Sequence, residues 1–285
     1  TLDDAPEQRR RRRSSAYSGG NPIVYAVALV VVAITVGPVL YAMLGGFRTN
    51  AQLAANPVGM PDPWVFDNYV LTSGTFWQLT WNSTVIALLT TVIVCVAGVM
   101  AAYPLARYVF AGREILFLIF TLGLLFPLTV AIIPLFLMIR DMGLTNSMWG
   151  VALPQAAFAL PITVVILRPF LRALPKELEE AALIDGASRI GFFWRILLPL
   201  SSPGLVTVGV LAFVASWNAY LLPLLILTST GDQTLPLGVA NFSTEHAQDT
   251  AGVLAFTSLA MIPALVFFLA MEKRIVSGLQ GAVKG

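Results

Sequence analysis

Residues able to do chemistry are sparse in this 285-residue chain, and their spacing excludes most of it. The only cysteine, Cys95, lies inside an apolar run, where it reads as packing rather than as a thiol catalyst. The only histidine, His246, has no cysteine or second histidine beside it, so no metal site is expected. No Gly-x-x-x-x-Gly-Lys-Ser/Thr loop is present, so the chain has no phosphate cradle of that type. No carboxylate or histidine sits mid-way along an apolar run, as proton-coupled carriers require. Glu114, Arg140, Asp141 and Arg168 fall at run ends, where snorkelling to water is cheap. Beyond the first twenty residues, charge is densest in one polar island, Pro175 to Pro199.

Two short helices joined at a glycine fit that island. Pro175 suits a first helical position, which puts Glu177, Glu179 and Glu180 near the positive end of the helix dipole. Glu177 and Glu179, nearer the helix start, are expected to face solvent. Gly186 stands where helices commonly exit in a left-handed conformation, and Ser188 can cap a second helix. There Ile190, Phe193, Trp194 and Leu197 fall at i, i+3, i+4 and i+7, predicting one apolar stripe. Taken by itself, such a segment fits an amphipathic connector lying on a membrane surface.

The elements around the island are apolar. Hydrophobic residues make up 57% of the chain and charged ones 11%, far below the roughly 25% of soluble domains. The predicted fold class is an all-α membrane protein. Runs long enough to cross a bilayer lie near 23–44, 83–103, 114–139, 148–168, 202–228 and 250–271. With the N-terminus inside, the outer side holds Arg48 and Arg140 alone of the 17 basic residues. That bias places both termini, and the island, on the cytoplasmic side. Residues 1–20, with the Arg9 to Arg13 run, read as a disordered basic cytoplasmic tail near anionic lipid headgroups rather than as a nucleic-acid arm. The remainder, 21–285, reads as one six-helix transmembrane domain, with a cytoplasmic loop over 171–200 and a cytoplasmic tail over 272–285. The outer segment 229–249, with Gly231, Gly238, Asn241, Glu245 and His246, reads as a solvated connector or a protruding hairpin. Gln155 and Asn218 are buried-amide candidates, expected to face the bundle interior rather than lipid.

The island also resembles a known pattern. Glu180-Ala181-Ala182, then Gly186, then Ile196 and Leu198-Pro199 match the fixed positions of the EAA loop of binding-protein-dependent ABC importer permeases, with Asp185 and Ala187 flanking the glycine as in sugar permeases. Asp67-Asn68-Tyr69 and Ser216-Trp217-Asn218 are similar to segments of sugar permeases. The ending Gly278-Leu279-Gln280-Gly281-Ala282-Val283-Lys284-Gly285 is similar to that of maltose-type permeases of the smaller-subunit class, one residue shorter. The resemblance covers roughly 22 to 285. It implies a type I importer permease with a coupling helix, importing a sugar, in particular a di- or oligosaccharide, by alternating access in the cytoplasmic membrane. The alternatives are a polyol phosphate or peptide as solute, or a passive channel. Implied partners are a second, related permease, two ATPase subunits and an extracytoplasmic sugar-binding protein. The chain itself is then no enzyme and carries no cofactor; Mg-ATP belongs to the ATPase subunits. Implied coupling residues are Glu180, Ala181, Ala182, Asp185, Gly186, Ile196 and Pro199. Gln155, Trp217 and Asn218 are candidates for the translocation pathway, and Asn241, Glu245 and His246 for binding-protein contact. Gly281, Ala282, Val283 and Lys284 would reach toward the ATPase.

Overall fold

The computed structural model describes residues 22–246 and 249–283, and among them the chain is helical without strands. The longest apolar runs give α1 (Pro22–Gly45), α3 (Asp67–Arg107), α6 (Met148–Ala173) and α13 (Thr250–Val283). At 1.5 Å per residue the 41 residues of α3 extend about 60 Å, well beyond the expected span 83–103. A short α2 (Asn50–Ala55) lies in the loop before it, capped by Thr49. Arg48 is buried and donates to the Gln52 carbonyl at 2.7 Å and the Pro57 carbonyl at 3.0 Å, closing that loop from inside. Asn68 Nδ2 donates to the Gly46 and Arg48 carbonyls, both at 2.9 Å, so the loop is tied back to the start of α3.

Two expected spans are bent. The run 114–139 divides into α4 (Arg113–Gly123) and α5 (Leu128–Asp141), inclined at 96°. Pro127 stands at the break, and its missing N–H removes one of the bonds that would carry the helix through. The run 202–228 becomes α10 (Ser202–Trp217), bent by 72° from the helical stretch Arg189–Leu200 that leads into it, and a separate α11 (Leu221–Ile226). Among the described residues four helices are thus long and apolar enough to cross alone, and up to six spans are reached by counting each bent pair as one.

The core is α3, α6 and α10. Small residues permit the approach: Val94, Ala156 and Ala212 meet where the three helices touch. A Cβ at Gly98 of α3 would run into the Thr163 methyl of α6. α13 packs on α3 and α10, and α4 packs on α6. α1 touches α13 and leaves the rest of its apolar surface uncovered.

The polar island forms α7 (Glu177–Ile184), α8 (Arg189–Phe192), a π-helical turn (Phe193–Leu197) and a short α9 (Leu198–Leu200) leading into α10. Beyond α11, a 3₁₀ turn (Thr230–Asp232) leads into α12 (Leu235–Glu245). The expected solvated connector is therefore mostly helix, with Leu235, Leu237 and Gly238 buried. Gly238 is no hinge: a Cβ there would strike Leu79 of α3.

Candidate functional site

The turn at Gly186 is what the sequence requires. Its φ is +84°, and no atom lies within 4 Å of where a Cβ would be, so backbone conformation alone selects glycine. The Ala187 amide donates to the Ala182 carbonyl at 2.9 Å and the Gly186 amide to Leu183 at 3.1 Å, the paired bonds of a Schellman ending. Ser188 Oγ accepts from the Gly191 amide at 3.0 Å, capping α8. α7 begins at Glu177, so Pro175 lies outside the helix rather than at its first position.

The stripe Ile190, Phe193, Trp194, Leu197 is not the buried face. Ile190 is 73% and Trp194 56% exposed, whereas Phe192 and Leu197 are buried. The π-helical turn explains the difference. Its five-residue hydrogen-bond step puts Phe192 and Leu197 on one face, which a 3.6-residue period cannot. Both join a cluster formed by the ends of α3 and α6 with Ala182 of α7.

The acidic residues also divide differently from expectation. Glu180 is exposed, as are Ala181, Asp185 and Pro199, while Ala182 is buried and Ile196 half-buried. Glu179, expected in solvent, is the inward one. Its Oε2 accepts from Arg107 Nε at 3.2 Å, with side-chain exposures of 14% and 3%. Its Oε1 accepts from the Tyr103 and Tyr108 hydroxyls, both at 3.3 Å. Helix α7 starts two residues later than expected, and its buried side, marked by Ala182, is shared by Glu179 three residues earlier. Arg168 does not snorkel either: it is buried, donates to Leu105 and Glu114, and lies 4.0 Å from the Phe117 ring centroid.

A cavity of about 440 Å³ opens between α3, α6 and α10, walled mainly by Phe158, Ile162, Val208 and Leu211. Its polar point is a three-helix cluster. Gln155 Oε1 accepts from Thr90 Oγ1 at 3.1 Å and from Ser216 Oγ, while Gln155 Nε2 is buried with no protein partner. Of the pathway candidates only Gln155 lines this cavity. Trp217 is buried against Phe213 and the cluster around Phe76 and Phe256. Asn218 is exposed within this chain and donates to the Val214 carbonyl at 2.8 Å, because α10 ends there and its last carbonyls need donors. Thr90 is not singled out by the sequence, and Ser216 only as part of the Ser216-Trp217-Asn218 segment, not as a pathway candidate. Hydroxyls in spans commonly satisfy themselves on their own helix, as Thr91 does on Ala87, and nothing local distinguishes those that do not.

At the α12 end, Glu245 and His246 are exposed. The His246 ring stacks on Phe242 at 4.2 Å, and Phe242 stacks in turn on Phe256 at 4.7 Å. Asn241 Nδ2 donates to Gln233 Oε1 at 3.1 Å. Gly281, Ala282 and Val283 continue α13, so the last span and the expected tail form one helix. Lys284 and the Arg9 to Arg13 tail lie outside the described residues. Among the described residues no three His, Cys, Asp or Glu side chains converge on a point that could hold a metal.

Known proteins resemble this chain in sequence and in its helical bundle. The family described as "Binding-protein-dependent transport system inner membrane component" matches residues 94–280, from mid-α3 to the last turn of α13. The chain belongs to this family. It is thus a multi-pass inner-membrane permease component. It is 39% identical over 231 residues to a trehalose transport system permease protein of Mycobacterium tuberculosis, covering 79% of this chain and 84% of that one. It is 32% identical over 257 residues to a diacetylchitobiose uptake system permease protein of Streptomyces coelicolor, covering 89% and 85%. Among solved structures, a bacterial ABC transporter involved in import of the polysaccharide alginate contains a chain that superposes with a TM-score of 0.77 at 22% identity, covering 88% of this chain and 95% of that one. That likeness concerns the fold.

Proposed function

We propose that this permease is the translocating subunit of an ATP-driven importer for a di- or oligosaccharide, with both termini and the α7–α9 segment on the cytoplasmic side. The observation that carries the coupling reading is the two-sided build of that segment. One side is locked into the bundle by Ala182, Phe192 and Leu197. The other presents Glu180 and Asp185 beside Ile184 at 85% exposure and Trp194 at 56%. An acidic and apolar projection of this kind suits a cleft on a separate ATPase subunit, where a basic residue meets Glu180 and apolar walls cover Ile184. Mg-ATP acts on that subunit, and this chain contributes the moving parts.

Sugar as substrate is supported by the relatives' trehalose and diacetylchitobiose names and by the character of the cavity. Apolar walls with one aromatic ring suit the C–H face of a sugar, and the free Gln155 amide can donate to a hydroxyl. The importer assembles with a second, related permease and receives its solute from an extracytoplasmic binding protein, with Asn241, Glu245 and His246 on the surface that meets it. The uncovered face of α1 suits lipid or that second permease.

The test is to purify the assembled transporter with its binding protein, identify the ligand that co-purifies, and measure its ATP-dependent uptake into proteoliposomes. A co-purified di- or oligosaccharide taken up only with ATP is the expected result. A co-purified peptide or polyol phosphate would overturn the substrate class, and uptake indifferent to ATP would overturn the importer.

A further inference from the structure

α3 and α6 end side by side, and a helix end leaves its last four carbonyls without intrahelical donors. Each helix supplies an arginine to the other's end. Arg168 of α6 donates through Nε to the Leu105 carbonyl of α3 at 3.1 Å. Arg107 of α3 donates through Nη1 to the Leu174 carbonyl at 2.6 Å and through Nη2 to Pro175 at 3.3 Å, just past the end of α6. A guanidinium carries five donors in a fixed fork, so each arginine has donors left. Arg168 uses one on Glu114 of α4, and Arg107 uses Nε on Glu179 of α7. The Tyr103 and Tyr108 hydroxyls, 2.7 Å apart, close over the same carboxylate. Apolar packing ties the same elements, because Ala182 of α7 joins Ala102, Tyr103 and Leu171 in one cluster.

We propose that Arg107 and Glu179 are positioning residues that make α7 move as one body with the paired ends of α3 and α6. The inference rests on the coupling reading above and adds the route by which α7 acts on the bundle. The continuous chain offers another route, through α8 and α9 into α10, but that path contains a π-helical turn and a 72° bend. The side-chain route joins α7 directly to the two helices that carry Thr90 and Gln155 of the cavity. Adjacent carboxylates thus have separate duties: Glu180 faces the partner and Glu179 holds the bundle. A buried ion pair is a poor source of net stability, since desolvation offsets most of its attraction, but it fixes one arrangement against others.

The test uses the assembled transporter with Cys95→Ser, spin labels at Glu177 of α7 and Val92 of α3, and the isosteric Glu179→Gln, with and without Mg-ATP. Residues 177 and 92 are both exposed and outside the docking surface, so labels there leave the packing intact. One Glu177–Val92 distance is expected, unchanged by ATP in the parent. In Glu179→Gln it becomes broad or nucleotide-dependent while the ATPase subunit stays bound. Arg107→Gln and Glu179→Gln together should broaden the distance by less than the sum of the two single changes, because they share one link. A parent distance that changes with ATP overturns the inference, even if Glu179→Gln cannot be purified. So does a Glu179→Gln distribution identical to the parent's. Failure of the coupling reading is seen separately, as unchanged ATPase retention in Glu180→Ala.

Discussion

Replacing Arg168 with methionine removes the guanidinium while keeping a stem of similar length. Three contacts go with it. The first is a hydrogen bond from a charged donor to the Leu105 carbonyl at 3.1 Å, whose residue is buried. Such bonds contribute about 1.5–3 kcal/mol. The second is the Phe117 contact at 4.0 Å, a cation over an aromatic face worth about 0.5–1 kcal/mol. The third, the pair with Glu114, counts least, because that carboxylate is 61% exposed and simply returns to water. Against these losses, a charge no longer has to be held out of water, which returns part of the total. The net cost is about 2 kcal/mol, dominated by the orphaned carbonyl. In a chain of this size that corresponds to roughly 4–8 °C in unfolding midpoint. The assay heats the detergent-purified permease and follows the fraction that remains monodisperse. Arg172→Met is the control: Arg172 is exposed in the last turn of the same helix and should change stability by no more than about 0.5 kcal/mol. Arg168→Lys keeps the charge without the fork and should fall between wild type and methionine. If Arg168→Met melts with wild type, the reciprocal capping of α3 and α6 contributes nothing and the reasoning fails.

Gly186→Val should weaken ATPase association through backbone strain alone, about 1–3 kcal/mol, whereas Gly186→Asn, which tolerates positive φ, should stay close to wild type in a pull-down of the ATPase subunit. Equal behaviour of the two would show that the left-handed turn is dispensable. Gln155→Leu removes the amide that accepts from both Thr90 and Ser216, and is expected to reduce sugar uptake with ATPase retention unchanged; wild-type uptake kinetics would remove the cavity from the pathway. Single cysteines at Met60 and Ala240 should label from outside intact cells and one at Glu180 should not, in a Cys95→Ser background; external labelling at 180 would reverse the topology. The double change Glu245→Ala with His246→Ala is expected to lower stimulation of ATP hydrolysis by the binding protein while assembly is unaffected, and full stimulation would exclude that surface.

Where the chain's local chemistry decides the outcome, the sequence is legible. The membrane class, the turn at Gly186 and the Ser188 cap follow from composition and from what one residue can do to its own backbone. The division of labour between Glu179 and Glu180 does not, because Arg107 lies 72 residues from its partner. Nor does the burial of Arg168: a basic residue at a span end looks the same whether it reaches for water or for a neighbouring carbonyl. The π-helical turn hides for a related reason. Phe192, Phe193 and Trp194 offer large apolar side chains in a row, so the period cannot tell which one is buried. The break near Pro127 is half legible, since proline marks a bend but not its 96° size.

The central claim is that the exposed side of α7 docks a separate ATPase subunit. It is tested most directly by co-purifying that subunit with the membrane-inserted permease carrying Glu180→Ala, beside Glu177→Ala as an exposed control from the same helix. The expected result is loss of most bound ATPase from the Glu180 variant and near wild-type recovery with the Glu177 variant. Full recovery of the ATPase with Glu180→Ala would contradict the claim.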